Sequence, residues 1–345
     1  MYKLLRSLLF VLPAENAHYT AMYTFKFLCS IPILSQLIRV VFHYEDDKLS
    51  LSTMGLDFEN PIGIAAGFDK DARFIRELDF LGFGFVEVGT VTPLAQIGNP
   101  KPRLFRLKKD ESLINRMGFN NQGLDAMVER LSKMKSKNII IGGNIGKNKV
   151  TPLEEAHLDY LKCFEKLNDH VDYFVINVSS PNTPGLRSLQ DKEPLLKIIN
   201  TLLNARKDKA LKRPILLKIA PDLTEGQLDD IAEIVNTTDL DGLIATNTTI
   251  DRSGLKTNPQ TIESIGNGGL SGVAVKEKSD NVLKQIISKI SRDVTIIGVG
   301  GIKDGTSAKN KLEVGANLIQ VYTGFIYEGP FMVKKIKKFL TKSIT

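Results

Sequence analysis

The sequence predicts an α/β protein, a (β/α)8 TIM barrel with a small N-terminal amphipathic helical extension. Three observations carry that expectation. From Pro61 onward, eight short apolar runs recur, each ending in Gly or a small polar residue. The runs are rich in Ile and Val and do not alternate, as strands buried on both faces of a parallel sheet require. Amphipathic stretches lie between them and supply the crossovers. The chain of 345 residues, 42% apolar and 25% charged, suits one large barrel, with a doubly wound sheet as the alternative.

The first element is the segment 1–44, which we expect to be a helical module for membrane contact, with the barrel expected over residues 45–345. Leu4, Leu5, Leu8, Leu9 and Leu12 share one helical stripe, with Lys3, Arg6 and Ser7 off it. After Pro13, Ala17, Ala21, Phe25 and Leu28 repeat the spacing, and after Pro32 so do Ile33, Leu34, Leu37, Ile38 and Val41. The longest uncharged run, Phe27 to Ile38, has 12 residues, against about 20 for a membrane span. A signal peptide and ordinary core helices remain alternatives. The basic flank beside Leu, Phe and Tyr favours helices lying in a bilayer interface.

Leu49–Phe58 reads as a hairpin closing the barrel bottom. The eight runs follow: Ile62–Ala66, Phe85–Gly89, Ile139–Gly143, Tyr173–Val178, Ile215–Ile219, Gly242–Ala245, Val294–Val299 and Leu318–Tyr322. Arg103–Asn115 reads as a second hairpin, inserted after the second strand. Leu124–Met134, Leu153–Leu167, Pro194–Ala205, Glu225–Val235 and Ser279–Ile290 read as crossover helices, and Gly268–Gly272 as a flexible loop.

The net charge of +7 sits at the ends. Residues 1–42 carry +3 and residues 331–345 carry +5, which leaves the body at −1. With a near-neutral body and no zinc-finger or RNP-type pattern, nucleic acid is not the expected partner. The basic tail suits either a solvated face or contact with anionic lipid. Cys29 and Cys163 cannot build a disulfide framework, and a reducing compartment is the easier reading. Four histidines, His18, His43, His157 and His170, make no ligand spacing, so no metal is expected. No G-x-S-x-G elbow surrounds Ser180, which disfavours a serine hydrolase.

In such barrels the chemistry gathers at the carboxyl ends of the strands. Here those ends read Ala65-Ala66-Gly67-Phe68-Asp69-Lys70, Gly89-Thr90, Gly143-Asn144, Asn177-Val178-Ser179-Ser180-Pro181-Asn182-Thr183, Thr246-Asn247-Thr248, Gly298-Val299-Gly300-Gly301 and Tyr322-Thr323-Gly324. Lys218 stands inside an apolar strand, where a buried cation needs a compensating partner. The glycine clusters of the last two strands suit a phosphate cradle. Asn, Thr, Gly and Lys together suit an anionic planar ligand and a phosphorylated cofactor.

These motifs, with Asn115-Arg116-Met117-Gly118-Phe119 and Gly269–Gly272, resemble the signature set of the dihydroorotate dehydrogenase family over nearly the whole chain. The apolar N-terminal extension and Ser180, where soluble class 1 members generally carry cysteine, resemble the quinone-linked, membrane-associated class 2. The resemblance implies FMN-dependent oxidation of dihydroorotate to orotate, with quinone as acceptor, in pyrimidine biosynthesis. It implies one FMN per chain, held by Ala65, Ala66, Gly67, Phe68, Asp69, Thr90, Asn144, Asn177, Lys218, Thr246, Gly272, Gly301, Tyr322 and Thr323. It implies substrate binding by Lys70, Asn115, Arg116, Met117, Gly118, Phe119, Asn177, Asn182, Asn247 and Thr248. Ser180 is implied as the catalytic base, with Thr183 anchoring a relay water and Phe119 shielding it. His18, Arg103 and Tyr322 are implied at the quinone entrance. The expected location is peripheral, on the cytoplasmic face of the cell membrane, and a monomer is the expectation. Another FMN barrel oxidoreductase, or a non-catalytic phosphate-ligand barrel with a lipid anchor, are the rival readings.

Overall fold

A computed structural model describes residues 2–134 and 139–344. The chain starts with three helices, α1 (Tyr2–Leu9), α2 (Ala14–Ser30) and α3 (Pro32–Phe42). Pro13 stands at the N-cap of α2 and Pro32 opens α3, where its missing N–H costs no helical bond. The α2–α3 pair bends by 114°, and no single helix among the described residues is long and apolar enough to cross a membrane.

The hairpin β1 (Leu51–Thr53) and β2 (Leu56–Phe58) comes next. Its Phe58 ring meets Phe85 edge-on at 5.5 Å, and Thr53 Oγ1 lies 2.6 Å from Thr295 Oγ1. The hairpin therefore plugs the amino-terminal end of the barrel, as its sequence position suggests.

The body runs β3 (Ile62–Ile64), α4 (Ile75–Phe80), β4 (Phe85–Val91), β5 (Leu104–Leu107), β6 (Ser112–Asn115), α5 (Leu124–Ser132), β7 (Ile140–Ile145), α6 (Ala156–Leu167), β8 (Tyr173–Asn177) and α7 (Lys192–Lys207). It continues β9 (Ile215–Ile219), α8 (Glu225–Thr237), β10 (Gly242–Ala245), α9 (Pro259–Ile265), β11 (Gly269–Gly272), α10 (Lys276–Lys289), β12 (Thr295–Val299), α11 (Gly305–Glu313), β13 (Leu318–Val321), α12 (Thr323–Glu328) and α13 (Met332–Ser343). Eight parallel strands close in the order β10-β12-β13-β3-β4-β7-β8-β9.

Two faces of each strand bury two different cores. Phe85, Tyr173, Val175, Leu216, Ile244, Ile297 and Leu318 fill the interior. Their neighbours Val86, Val88, Ile141, Phe174, Ile176, Leu217, Leu243 and Ile319 pack outward against the helices. This double burial is why the runs show no polar alternation. Space for the large interior rings comes from glycine: a Cβ on Gly63 would lie 2.4 Å from the Phe85 ring, and one on Gly142 would lie 2.2 Å from that of Tyr173.

The second hairpin forms as expected from β5 and β6, but it is not alone. Gly269–Gly272, read above as a flexible loop, is strand β11, antiparallel to β6 with Gly269 opposite Asn115. A Cβ on Gly269 would lie 2.0 Å from Thr248 Oγ1. Glycine there serves close approach to the β10 loop, which a turn-based reading of Gly-Gly misses.

The N-terminal helices lie against the mouth side of the barrel. Arg103 grips Glu15 of α2 through Nη2 at 2.7 Å and Nε at 3.1 Å. Tyr2 Oη donates to Ile326 O at 2.6 Å, fixing α1 to α12. Ala17, Met22 and Cys29 of α2 are buried. The stripe Leu4, Leu5, Leu8 and Leu12, by contrast, is exposed, and so are Ile33, Leu37, Val40 and Val41 of α3. Those faces are therefore not core. The basic tail is α13, where Lys334 Nζ donates to Val41 O at 2.6 Å. Burial pulls the Lys337 ammonium down to about 8.

Candidate active site

The carboxyl ends of the barrel strands converge on one cleft with a volume of about 1010 Å3, its open mouth included. Ala65, Ala66 and Gly67 after β3, Thr90 of β4, Asn177 at the end of β8, Ser180 after it, and Lys218 in β9 all face it. So do Thr246, Asn247 and Thr248 after β10, Gly272 of β11, Gly301 after β12, and Tyr322 and Thr323 after β13. Lys70, Asn115, Met117, Gly118, Phe119 and Asn182 line the outer part. Ser180 and Lys218, 38 residues apart in sequence, line the same cleft.

Local chemistry fixes these groups. Asn177 Nδ2 donates to Thr90 Oγ1 at 2.8 Å and to Asn144 Oδ1 at 3.1 Å. Asn247 Nδ2 donates to Ser179 Oγ at 2.9 Å. The backbone N–H of Asn182 donates to Ser180 Oγ at 3.3 Å, and Asn182 Nδ2 donates to Asn115 Oδ1 at 2.9 Å. Side-chain amides thus link the β8 loop to β10 on one side and to the hairpin on the other. Arg187 adds a clamp, with Nε on Ser179 O at 3.1 Å and Nη2 on Thr248 O at 3.0 Å. Its Nη1 is paired with Asp222 at 2.9 Å. Burial pushes the Asp222 carboxyl pKa up, but donors from Thr249, Lys278, Ile250 and Arg187 outweigh it and hold the group below its ordinary value.

Other expected residues stand elsewhere. The Asp69 carboxylate accepts from the backbone N–H of Arg73 at 2.8 Å and of Phe74 at 2.7 Å. It shapes the loop after β3, and burial pushes its pKa up to about 6. Phe68 packs between His18, at 4.7 Å, and Tyr322, at 5.9 Å. Asn144 lies below the cleft, bonded to Thr90. The Arg116 guanidinium binds Ile265 O at 2.7 Å and Pro102 O at 3.1 Å. Thr183 is buried beside the β8 loop, and among the described residues it is not part of the cleft wall.

A second hollow lies between α2 and the barrel, lined by His18, Tyr19, Phe68 and Leu104, and it shares Gly67, Lys70, Met117 and Tyr322 with the main cleft. Burial pulls the His18 imidazole down to about 4, so it is neutral. Arg103 stands on the next, more open hollow outward, its guanidinium spent on Glu15, Ile97 O and Asn99 O. Burial, with the Arg103 charge nearby, pulls Lys70 down to about 8.

Sequence reasoning missed Glu87, Gln320, Ser271 and the Arg187–Asp222 clamp. Gln320 and Ser271 line the cleft, and Ser271 Oγ is 2.8 Å from Thr323 Oγ1. Glu87 interrupts a Val-rich strand as Lys218 interrupts its own. The rule that singled out Lys218 would have found it.

The residues fit a phosphorylated flavin. A Cβ on Gly67 would have only Tyr322 Cε2 near it, at 3.6 Å, so a side chain there would grow into the open cleft. At the far end, a Cβ on Gly301 would lie 2.3 Å from Lys276 Cβ, and one on Gly324 would lie 2.1 Å from Ile302 O. Only bare backbone closes that cradle, which is how N–H groups come within reach of phosphate oxygens.

Comparison with known proteins agrees with this geometry. Residues 48–344 match the family model described as dihydroorotate dehydrogenase. A protein of Christiangramia forsetii named dihydroorotate dehydrogenase (quinone) is 53% identical, covering 100% of both chains. A protein of the same name from Neisseria meningitidis is 47% identical over 99% of this chain and 100% of its own. The Eimeria tenella enzyme solved with ferulenol superposes with a TM-score of 0.84 at 37% identity, covering 96% of this chain and 91% of that one.

Proposed function

Because this chain belongs to the dihydroorotate dehydrogenase family, we propose that its mouth cleft is where dihydroorotate is oxidised, on FMN, with quinone as the final acceptor. The activity is that of dihydroorotate dehydrogenase (quinone), a step of pyrimidine biosynthesis. The observation that carries the site is the convergence of Ser180, Lys218, Lys70 and four asparagines, Asn115, Asn177, Asn182 and Asn247, on one cleft.

Bound FMN supplies the two-electron acceptor. The chain does the rest. The backbone at Gly300, Gly301, Thr323 and Gly324 holds the phosphate, and Thr90, Asn177, Lys218 and Thr246 hold the ring system. Lys70 pairs with the substrate carboxylate, and Asn115, Asn182, Asn247 and Thr248 bond its ring amides. The Oγ of Ser180 takes the proton from substrate C5. A hydroxyl is a weak base unaided, so its own proton must leave through a relay. Phe119 on the cleft wall keeps bulk water from the reacting carbon.

Quinone arrives along the hollow between α2 and the barrel, past His18 and Tyr322, with Arg103 holding α2 in place through Glu15. The exposed apolar faces of α1 and α3, flanked by Lys3, Arg6 and Arg39, set residues 1–44 against a lipid surface, as interfacial helices do. The protein sits peripherally on the cytoplasmic face of the cell membrane. Acceptor choice tests the reading: turnover of dihydroorotate with a quinone analogue, and none with NAD or fumarate, is the expected result. Equal turnover with NAD would reject it.

A further inference from the structure

Below the cleft floor stands a carboxylate that the reaction as described does not use. Glu87 lies mid-strand in β4, is 0% exposed, and points into the barrel. Its Oε1 accepts from Lys218 Nζ at 3.1 Å and from Asn144 Nδ2 at 2.6 Å. Its Oε2 accepts from Gln320 Nε2. Lys218 and Gln320 line the cleft. Asn144 in turn accepts from Thr90 and Asn177, which also line it. One buried charge is therefore within two hydrogen bonds of cleft walls supplied by β4, β8, β9 and β13.

Packing does not call for this. Apart from Lys218, Asn144 and Gln320, which bond Glu87, the barrel interior is largely apolar, with Val175, Leu216, Ile244 and Ile297 among its side chains. An aliphatic side chain at 87 alone would leave the Lys218 ammonium buried and unpaired, but buried ion pairs replaced whole by well-packed apolar groups often leave stability equal or better, so stability does not require the pair. What the carboxylate does change is the field at the cleft. Alone, the Lys218 ammonium would present a full positive charge in a dry site, where charges are poorly screened. With Glu87 behind it, the pair is nearly neutral, and the cleft feels a dipole with its positive end outward. The carboxylate also fixes where Nζ sits.

We propose that Glu87 is a positioning residue that sets the reduction potential of the bound flavin, by anchoring the Lys218 ammonium and offsetting its charge. This rests on the assignment of the cleft to FMN. The reduced flavin carries more negative charge than the oxidised form, so a cation in the wall favours reduction and a carboxylate behind it moderates that preference. Glu87→Gln keeps an oxygen for Lys218 and removes the charge, while Gln320 can turn its amide to meet the new donor.

The test is the two-electron potential of the purified holoenzyme, measured by dye equilibration without substrate or orotate. Glu87→Gln should favour reduced over oxidised FMN about tenfold more than the wild type does, a positive shift of about 30 mV for a two-electron couple. Glu87→Asp, which keeps the charge but withdraws it by one methylene, should shift the same way by less. A wild-type potential, or a negative shift, in Glu87→Gln overturns the proposal. If that variant does not fold or retain flavin, Glu87→Asp decides by the same signs. A wild-type protein that purifies without flavin would instead overturn the FMN assignment itself.

Discussion

Removal of the Ser180 hydroxyl tests the chemistry with the least disturbance to the fold. Ser180→Ala deletes one oxygen from a residue that is only 7% exposed. Within the chain that oxygen accepts one bond, from the Asn182 N–H at 3.3 Å. Losing a neutral hydrogen bond of that kind costs about 1 kcal/mol. Spent entirely on a displaced β8 loop, this slows a reaction by about fivefold, since about 1.4 kcal/mol is tenfold. Losing a general base costs about 10²- to 10⁴-fold. The two explanations are therefore separated by more than an order of magnitude. None of the proposed phosphate or ring contacts involves Ser180, so flavin content should match the wild type, and orotate affinity should stay within about fivefold by the same loop argument. The assay is anaerobic stopped-flow reduction of the flavin by dihydroorotate. A rate constant at least about a hundredfold below wild type is expected; a fall of fivefold or less would refute Ser180 as the base.

Three further outcomes follow from the same geometry. Deleting residues 1–42 removes α1–α3 while all eight barrel strands, between Ile62 and Val321, remain; flavin reduction by dihydroorotate should persist and turnover with a long-chain quinone should collapse, whereas full quinone turnover would remove the helices from the electron path. Lys70 has its pKa pulled down to about 8, so its ammonium is present below that pH and lost above it. Orotate affinity, read from the flavin difference spectrum, should be flat up to about pH 8 and weaken by up to about tenfold per unit beyond it, and Lys70→Met should be weaker and flat throughout; an unchanged wild-type affinity at pH 10 would deny Lys70 the carboxylate. Gly301→Ala would place a Cβ 2.3 Å from Lys276 Cβ at a φ of +73°, a left-handed conformation costing about 1–2 kcal/mol even without the clash. FMN occupancy should fall severalfold or more by absorbance, and full occupancy would move the phosphate cradle elsewhere.

Much of the architecture is legible in the sequence because burial on both faces leaves an unmistakable mark. Each of the eight apolar runs coincides with a barrel strand to within two residues at either end, and hairpins form within Leu49–Phe58 and Arg103–Asn115 as expected. The strand-end motifs converge because parallel strands in a closed barrel all end on one side. What the sequence conceals is partnership across distant elements. Gly269–Gly272 looks like a loop, yet it pairs with β6, since nothing local announces an antiparallel partner more than 150 residues away. Asp69 and Arg116 carry motif positions, but their side chains hold loops through backbone groups, which residue type alone does not reveal. Lys218 announces that a counter-charge must exist without saying which; Glu87 supplies it from 131 residues upstream.

The most direct measurement is an anaerobic absorbance titration of the purified protein with dihydroorotate. The account predicts a yellow protein with one FMN per chain, bleached stoichiometrically by dihydroorotate and restored by an added quinone. A colourless protein, or a flavin spectrum that dihydroorotate leaves unchanged, would contradict it.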